Sequence, residues 1–333
     1  MPSSRGIGRP FVAPGLGGPF AIIAAVISAV LSIRFRRRRD PDEDTGDADE
    51  EPSRPRFRSG LGARLASAAI GMPIIIAVVL VGGPLFAAFV GFALVVALGE
   101  IAVIVKLDLR SPLFLIGVAG VGAIVGVAAV TESGIPLYWP VLATILAIAA
   151  TATVVAVLTV DRPEPTRLRP VVAHGLTVLG AVIYLALPGA AFIAVRATHD
   201  GTDWFLLAIL AIMSTDAAAY AGGRLLGRRR LAPSVSPNKT IEGAISGWLG
   251  GFGATIALDQ ILNLDVEIYP LVLLALALPI FGQLGDLAES LFKRAMDVKD
   301  SSRLIPGHGG VLDRLDSLLF GLPVVFFFLQ WTS

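Results

Sequence analysis

Apolar residues come in long blocks along this chain, and polar residues concentrate in the gaps between them. From Leu61 onward the blocks follow in close succession, near 61–82, 84–105, 112–130, 135–160, 171–195, 204–222, 241–262, 268–292 and 312–331. Each has about the twenty residues that an α-helix needs to cross the hydrocarbon of a bilayer. Gly or Pro punctuates most boundaries, and Gly and Ala inside the blocks allow close helix packing. The pattern predicts an all-α polytopic integral membrane protein with about nine transmembrane helices.

A further uncharged block, Ala13–Ile33, predicts an extra N-terminal span, with an interfacial helix as the alternative. Its arginines, among them Arg34 and Arg36 to Arg39, follow the apolar core, whereas a cleaved signal peptide carries its charge ahead of it. Eight acids between Asp40 and Glu51 then make a disordered, solvated linker. Three regions result: 1–60, holding that span and the acidic linker; 61–196, the N-terminal membrane helices; and 197–333, where the chemistry-bearing polar residues collect.

Lys and Arg set the orientation. The loops 34–64, 106–111, 161–170, 223–240 and 293–314 carry nine, two, three, five and five of them. The alternate connections 131–134, 196–203 and 259–267 carry none, one and none. The positive-inside rule makes the first set cytoplasmic and predicts a multi-pass protein of the cell (inner) membrane. Arg228 to Arg230 serve this topology or attract anionic headgroups.

Composition agrees: 55% of the 333 residues are hydrophobic, and the mean hydropathy is +0.77, which excludes an ordinary soluble domain. Net charge is +1, so total charge singles out no partner, and no nucleic acid is expected as one. With no cysteine and three scattered histidines, disulfides and thiolate metal sites are excluded and a His-rich zinc site is not expected.

One stretch breaks the apolar pattern. Gly285 to Ser317 is dense in charge between two apolar blocks, in a chain only 16% charged, which marks a functional site. Asp286, Glu289, Ser290 and Lys293 are spaced i, i+3, i+4, i+7 and share a helix face. Asp313 and Asp316 share a face at the start of the last helix. Between them, Pro306 and three glycines require a loop. Bringing the two carboxylate pairs together demands cations, and oxygen donors suit Mg²⁺ or another hard cation. Asp286 and Asp313, with Glu289 beside them, are the expected metal ligands. Lys293, Arg294, Lys299, Arg303 and Arg314 suit phosphate oxygens.

A second polar concentration lies upstream. Ser214, Thr215, Asp216 and Tyr220 end an apolar block, and a Ser-Pro-x-Lys-Thr turn, Ser236 to Thr240, opens the next helix. The hydroxyls of Ser236 and Thr240, the Lys239 ammonium and free N–H groups at that helix start are suited to phosphates. It is not a Walker A loop, since no Gly-x-x-x-x-Gly-Lys precedes the Thr. Glu100, at a helix end, is read as a conformational anchor. His174 and His199 are read as packing and solvent residues, and His308, between glycines, as a turn cap or a functional group.

The pattern Ser290, Lys293, Arg294, Lys299, Asp300, His308, Gly309, Gly310, Asp313, Arg314 and Asp316 closely resembles the signature of phosphatidate cytidylyltransferases, the CDP-diacylglycerol synthases. Asp216, the Ser-Pro-x-Lys-Thr-x-Glu-Gly run and, more faintly, Arg64 with Glu100 are also similar to that family. The resemblance implies a membrane nucleotidyltransferase that converts CTP and phosphatidate to CDP-diacylglycerol and pyrophosphate in phospholipid biosynthesis. It implies Mg²⁺, with a second, monovalent ion such as K⁺ at the same site. Asp286, Asp313, Lys293 and Asp316 are then expected to be catalytic. Lys239, Ser236, Thr240, Ser290, Arg294, Arg314, His308 and Asp216 are expected to bind substrate. The active site would face the cytoplasm, and a homodimer is left open. An isoprenoid-lipid cytidylyltransferase, a lipid kinase and a transporter with a carboxylate ion path are the alternatives. Charges crowding one side rather than mid-bilayer, without internal repeats, argue against the transporter. The Asp-Gly-x-x-Ala-Arg motif of CDP-alcohol phosphotransferases is absent.

Overall fold

The structure, a computed structural model, describes residues 57–130, 165–302, 304–305 and 309–332. The Ala13–Ile33 span, the acidic linker, the span at 135–160 and His308 lie outside the described residues.

The described chain is built of α1 (Phe57–Val81), α2 (Gly83–Ile104), α3 (Pro112–Val130), α4 (Pro165–Arg196), α5 (Gly201–Leu226), α6 (Ile241–Leu262), α7 (Ile268–Ala295) and α8 (Leu312–Thr332). Every apolar block within these residues is a helix, and most ends agree with the hydropathy to within a few residues. α4 begins six residues before its block because Pro165 opens a polar first turn that hydropathy does not register. Five helices, α2, α3, α5, α7 and the part of α4 from Val172 to Arg196, are long and apolar enough to cross a membrane.

One local expectation is overturned. Ser236–Thr240 is not a turn but strand β2, paired antiparallel with β1 (Arg230–Ala232). Thr240 is extended, at φ −119° and ψ 155°, and becomes the N-cap of α6, its Oγ1 accepting from Gly243 N at 3.1 Å. The β-branched cap ends the strand and starts the helix in one residue.

Helix ends follow local chemistry. α6 stops at Asn263 in the left-handed region, φ 53°, with its N–H on Asp259 O. α1 and α2 are divided at Gly82, φ 67°. A Cβ there would lie 2.5 Å from Arg196 Nη2, whose guanidinium caps the carbonyls of Val79 (2.7 Å) and Leu80 (3.1 Å). The one Arg in the connection 196–203 is thus a helix C-cap.

α5 and α6 make the most extensive helix pair, and α7 packs on α8. Glycines set the α5–α6 separation. A Cβ on Gly247 would meet Ala219 Cβ at 2.8 Å, and one on Gly251 would meet Thr215 Oγ1 at 2.0 Å. α2, α3 and α4 pack together and join the rest through α8 against α4. Leu94, Leu98, Leu185, Leu207, Leu278 and Leu322 are fully buried between these helices.

Candidate active site

The C-terminal ends of α2, α5 and α7, the N-terminal ends of α6 and α8, and the β1–β2 hairpin meet at one end of the bundle. Glu242, in the first turn of α6, ties the hairpin down by accepting from Arg228 N (3.0 Å) and Arg229 N (3.2 Å). Arg294, at the end of α7, donates from Nε to Val235 O at 3.2 Å and from Nη1 to Val298 O at 3.4 Å. Part of this guanidinium, expected for phosphates, is therefore a tether for the hairpin.

The i, i+3, i+4, i+7 face of α7 forms as expected and divides into two ion-pair groups. In one, Asp286 Oδ2 accepts from Lys239 Nζ at 2.5 Å, bringing β2 onto α7. Ser290 Oγ lies 3.5 Å from Asp286 Oδ1. Asp216 on α5 and Asp316 on α8 face Asp286 closely enough to repel it and each other, and Lys239 and then Arg314 offset Asp216. In the other, Lys293 Nζ bridges Glu289 Oε2 (2.6 Å) and Asp313 Oδ1 (2.7 Å). The first group is open, with Lys239 and Asp286 side chains 28% and 32% exposed. The second is enclosed, with Lys293, Glu289 and Asp313 at 13%, 2% and 10%.

Asp313 is held further by the loop: Gly310 N (2.8 Å), Ser301 N (3.2 Å) and Ser301 Oγ (3.0 Å) all reach its Oδ2. Gly309, at φ 87°, and Ile305 exchange backbone hydrogen bonds of 2.8 and 3.2 Å, closing the loop. A Cβ on Gly309 would come within 2.7 Å of Asp313 Oδ2. The signature glycines thus allow backbone to approach carboxylates.

Two of the N–H groups expected to be free at the start of α6 are already paired. Ile241 N donates to Arg229 O at 2.9 Å and Gly243 N to Thr240 Oγ1 at 3.1 Å. Lys239 is the part of that motif turned to the site. Lys299 and Asp300 are exposed. Sequence reasoning passed over Ser301, Ser302 and Tyr184, which lie in loop and apolar contexts with no distinguishing pattern. Glu100 it read as a conformational anchor at a helix end, without the partners it would anchor.

Among the described residues no three acidic or His side chains form a ready cation cage. Two observations nonetheless fit a hard cation. Glu289 Oε1 is buried without a hydrogen-bond partner among the described residues, as is Tyr184 Oη. Among the described residues, the five carboxylates Asp216, Asp286, Glu289, Asp313 and Asp316 face Lys239, Lys293 and Arg314, formally an excess of two negative charges. Mg²⁺ in particular is usually held by one or two carboxylates plus substrate phosphates, not by an all-protein cage. Beside Glu289 an apolar cavity of about 310 Å³ is walled by Ile101, Ala181, Tyr184, Phe292 and Leu312.

The pattern of the cytidylyltransferase family matches residues 62–332. The chain is similar to the phosphatidate cytidylyltransferase of Staphylococcus haemolyticus (strain JCSC1435), 46% identical over 147 residues, 44% of this chain and 56% of that relative. It is likewise similar to the phosphatidate cytidylyltransferase of Bacillus subtilis (strain 168), 42% identical over 154 residues, 46% of this chain and 57% of that relative. The chain thus spans just over half the length of the curated relatives it matches. The family's pattern runs through nearly all the described helices and the whole charged end of the bundle, and the chain belongs to the cytidylyltransferase family.

Proposed function

We propose that this protein transfers the cytidylyl group of CTP to the phosphate of phosphatidate, releasing pyrophosphate and leaving CDP-diacylglycerol in the membrane. The observation that carries this reading is the convergence of five carboxylates with Lys239, Lys293 and Arg314 at one end of an apolar bundle. The names of its relatives point the same way.

In the reaction an oxygen of the lipid phosphate bonds to the α-phosphorus of CTP as the bond to pyrophosphate breaks. A phosphate monoester is largely doubly ionised at neutral pH, its second pKa being about 6, so no side chain need act as general base. The demand is instead for positioned positive charge. Lys239, beside the open carboxylates and part-exposed, is suited to receive CTP phosphates. Lys293, fixed between Glu289 and Asp313, is suited to the developing charge at the reacting phosphorus. Asp286 and Asp313 would hold a hard dication such as Mg²⁺, which when bound would neutralise phosphate oxygens. The apolar cavity next to Glu289 is at the small end of ligand pockets, about 300–1,000 Å³, and its lining suits the hydrocarbon part of a lipid.

The nine-span arrangement, with the charged end facing the cytoplasm where nucleotides are, belongs to the same reading. Helix polarity supports it: the connections 106–111 and 223–240 and the helix ends flanking 293–314 are at the charged end, and 196–203 and 259–267 lie at the other.

The test is incubation of purified protein in detergent with labelled CTP, phosphatidate and Mg²⁺. The expected outcome is a lipid-soluble cytidine product with stoichiometric pyrophosphate. Label transfer only to a polyprenyl phosphate, or phosphorylation of a lipid alcohol, would overturn it.

A further inference from the structure

We propose that Glu100, on a helix that contributes none of the signature residues, is a positioning residue that sets the signature loop and through it Asp313. It is fully buried, at 0% exposure, and takes part in no ion pair among the described residues. Four donors from the far end of the sequence satisfy it instead. Oε2 accepts from Leu312 N (2.8 Å) and Ser301 Oγ (3.0 Å), and Oε1 from Val311 N (3.0 Å) and Ser302 Oγ (2.5 Å).

Two of these donors are backbone N–H groups at the start of α8, so Glu100 caps that helix from another element. A carboxylate suits this place, where the helix dipole is positive and N–H groups would otherwise lack partners.

The same atoms hold Asp313. Ser301 Oγ stands 3.0 Å from both Glu100 Oε2 and Asp313 Oδ2, so one hydroxyl proton serves two carboxylates. Gly310 donates its N–H to Asp313, and a Cβ there would lie 1.9 Å from Ser301 Oγ and 2.6 Å from the Glu100 oxygens. The second glycine of His-Gly-Gly is therefore required by Ser301 and Glu100 together. The carboxylate of α2, Ser301, Ser302, the stretch Gly310 to Leu312 and Asp313 form one hydrogen-bonded unit.

Neutralising Glu100 breaks that unit. Glu100→Gln keeps the volume, but one of its two oxygens becomes an NH₂ facing a backbone N–H and a hydroxyl. Asp313 then loses its fixed place while substrate-binding Lys239, on β2, is untouched.

This rests on the cytidylyl transfer proposed above, and the experiment separates the two. For Glu100→Gln, kcat is expected to fall about 10²–10³-fold, the effect of losing one preorganised electrostatic partner. KM for CTP should stay within about threefold. The double variant Glu100→Gln/Asp313→Asn should be no slower than Asp313→Asn alone, because both act at one place. Amide hydrogen exchange should rise in the peptide covering 301–315 and stay unchanged in α5 and α6.

Effects of Glu100→Gln and Asp313→Asn that multiply, a rise in KM alone, or unchanged exchange at 301–315 would each overturn the proposal. If Glu100→Gln does not fold, Ser302→Ala, which removes one of the four donors, should show the same kcat-only pattern at about 3–10-fold, and wild-type kinetics in it would overturn the proposal. Inactive wild-type protein would refute the reaction, whereas the exchange comparison would still decide whether Glu100 sets the loop.

Discussion

Lys239 and Lys293 neutralise different carboxylates in different surroundings, and the consequences of mutating them and their partners differ accordingly. The Lys239–Asp286 pair is about 30% exposed on each side, a setting in which an ion pair is worth about 0–1 kcal/mol of stability. Lys239→Ala should therefore leave the melting temperature nearly unchanged. Its cost falls on CTP: loss of a charge-assisted contact of about 1.5–3 kcal/mol predicts a KM for CTP raised about 10–150-fold. Steady-state kinetics at limiting CTP would read this, and wild-type values would leave Lys239 as a topology charge only. Asp286→Asn and Asp313→Asn should each lower turnover about 10²–10³-fold, yet they should differ in stability. Asp313 belongs to an enclosed group with Lys293 and Glu289, and breaking such a pair costs about 3–5 kcal/mol. Thermal unfolding in detergent should show a large drop for Asp313→Asn and a small one for Asp286→Asn. If the two share one ion, the double variant should be little slower than either single variant across a Mg²⁺ titration. Fully multiplicative losses would assign each carboxylate only to its own lysine.

At the scale of elements, the site depends on how closely α5, α6 and α7 approach. Gly251 sits where α6 meets Thr215 of α5 and Pro279 of α7, and an added Cβ would lie 2.0 and 2.7 Å from their side chains. Gly251→Ala should therefore destabilise by about 1–3 kcal/mol, the cost of overpacking, and should displace Asp216 relative to Asp286. Gly253, two residues on, has nothing within 4 Å of its Cβ position. Gly253→Ala should be neutral or stabilising by about 0.5–1 kcal/mol through helix propensity alone. Equal melting temperatures for the two variants would show that α5 and α6 do not pack at this separation.

At the scale of the molecule, the arrangement of helix ends predicts sidedness. Ser234, between β1 and β2, should be cytoplasmic, and Glu267, before α7, external; both are exposed. In this Cys-free chain Ser234→Cys and Glu267→Cys can be labelled singly in intact cells with an impermeant maleimide. Labelling at 267 but not at 234 is expected, and the reverse would invert the topology. Tyr269 and Trp331, 83% and 63% exposed, sit at the end of the bundle with Glu267, where aromatic side chains anchor to the interface.

The amino-acid sequence by itself determined which of the described segments are long helices, because a continuous run of about twenty apolar residues satisfies its backbone in a bilayer as a helix. It also determined which face of α7 carries the chemistry, since i, i+3, i+4 and i+7 spacing is local geometry. Tertiary structure alone decided the pairings. Whether Asp286 meets Lys239 or Lys293 depends on where the β1–β2 hairpin folds back, and that hairpin replaces what reads locally as a turn. The partners of Glu100, read from the sequence only as an anchor at a helix end, were equally beyond local pattern. Its four donors lie 201 to 212 residues away, and only packing brings α2 to the start of α8.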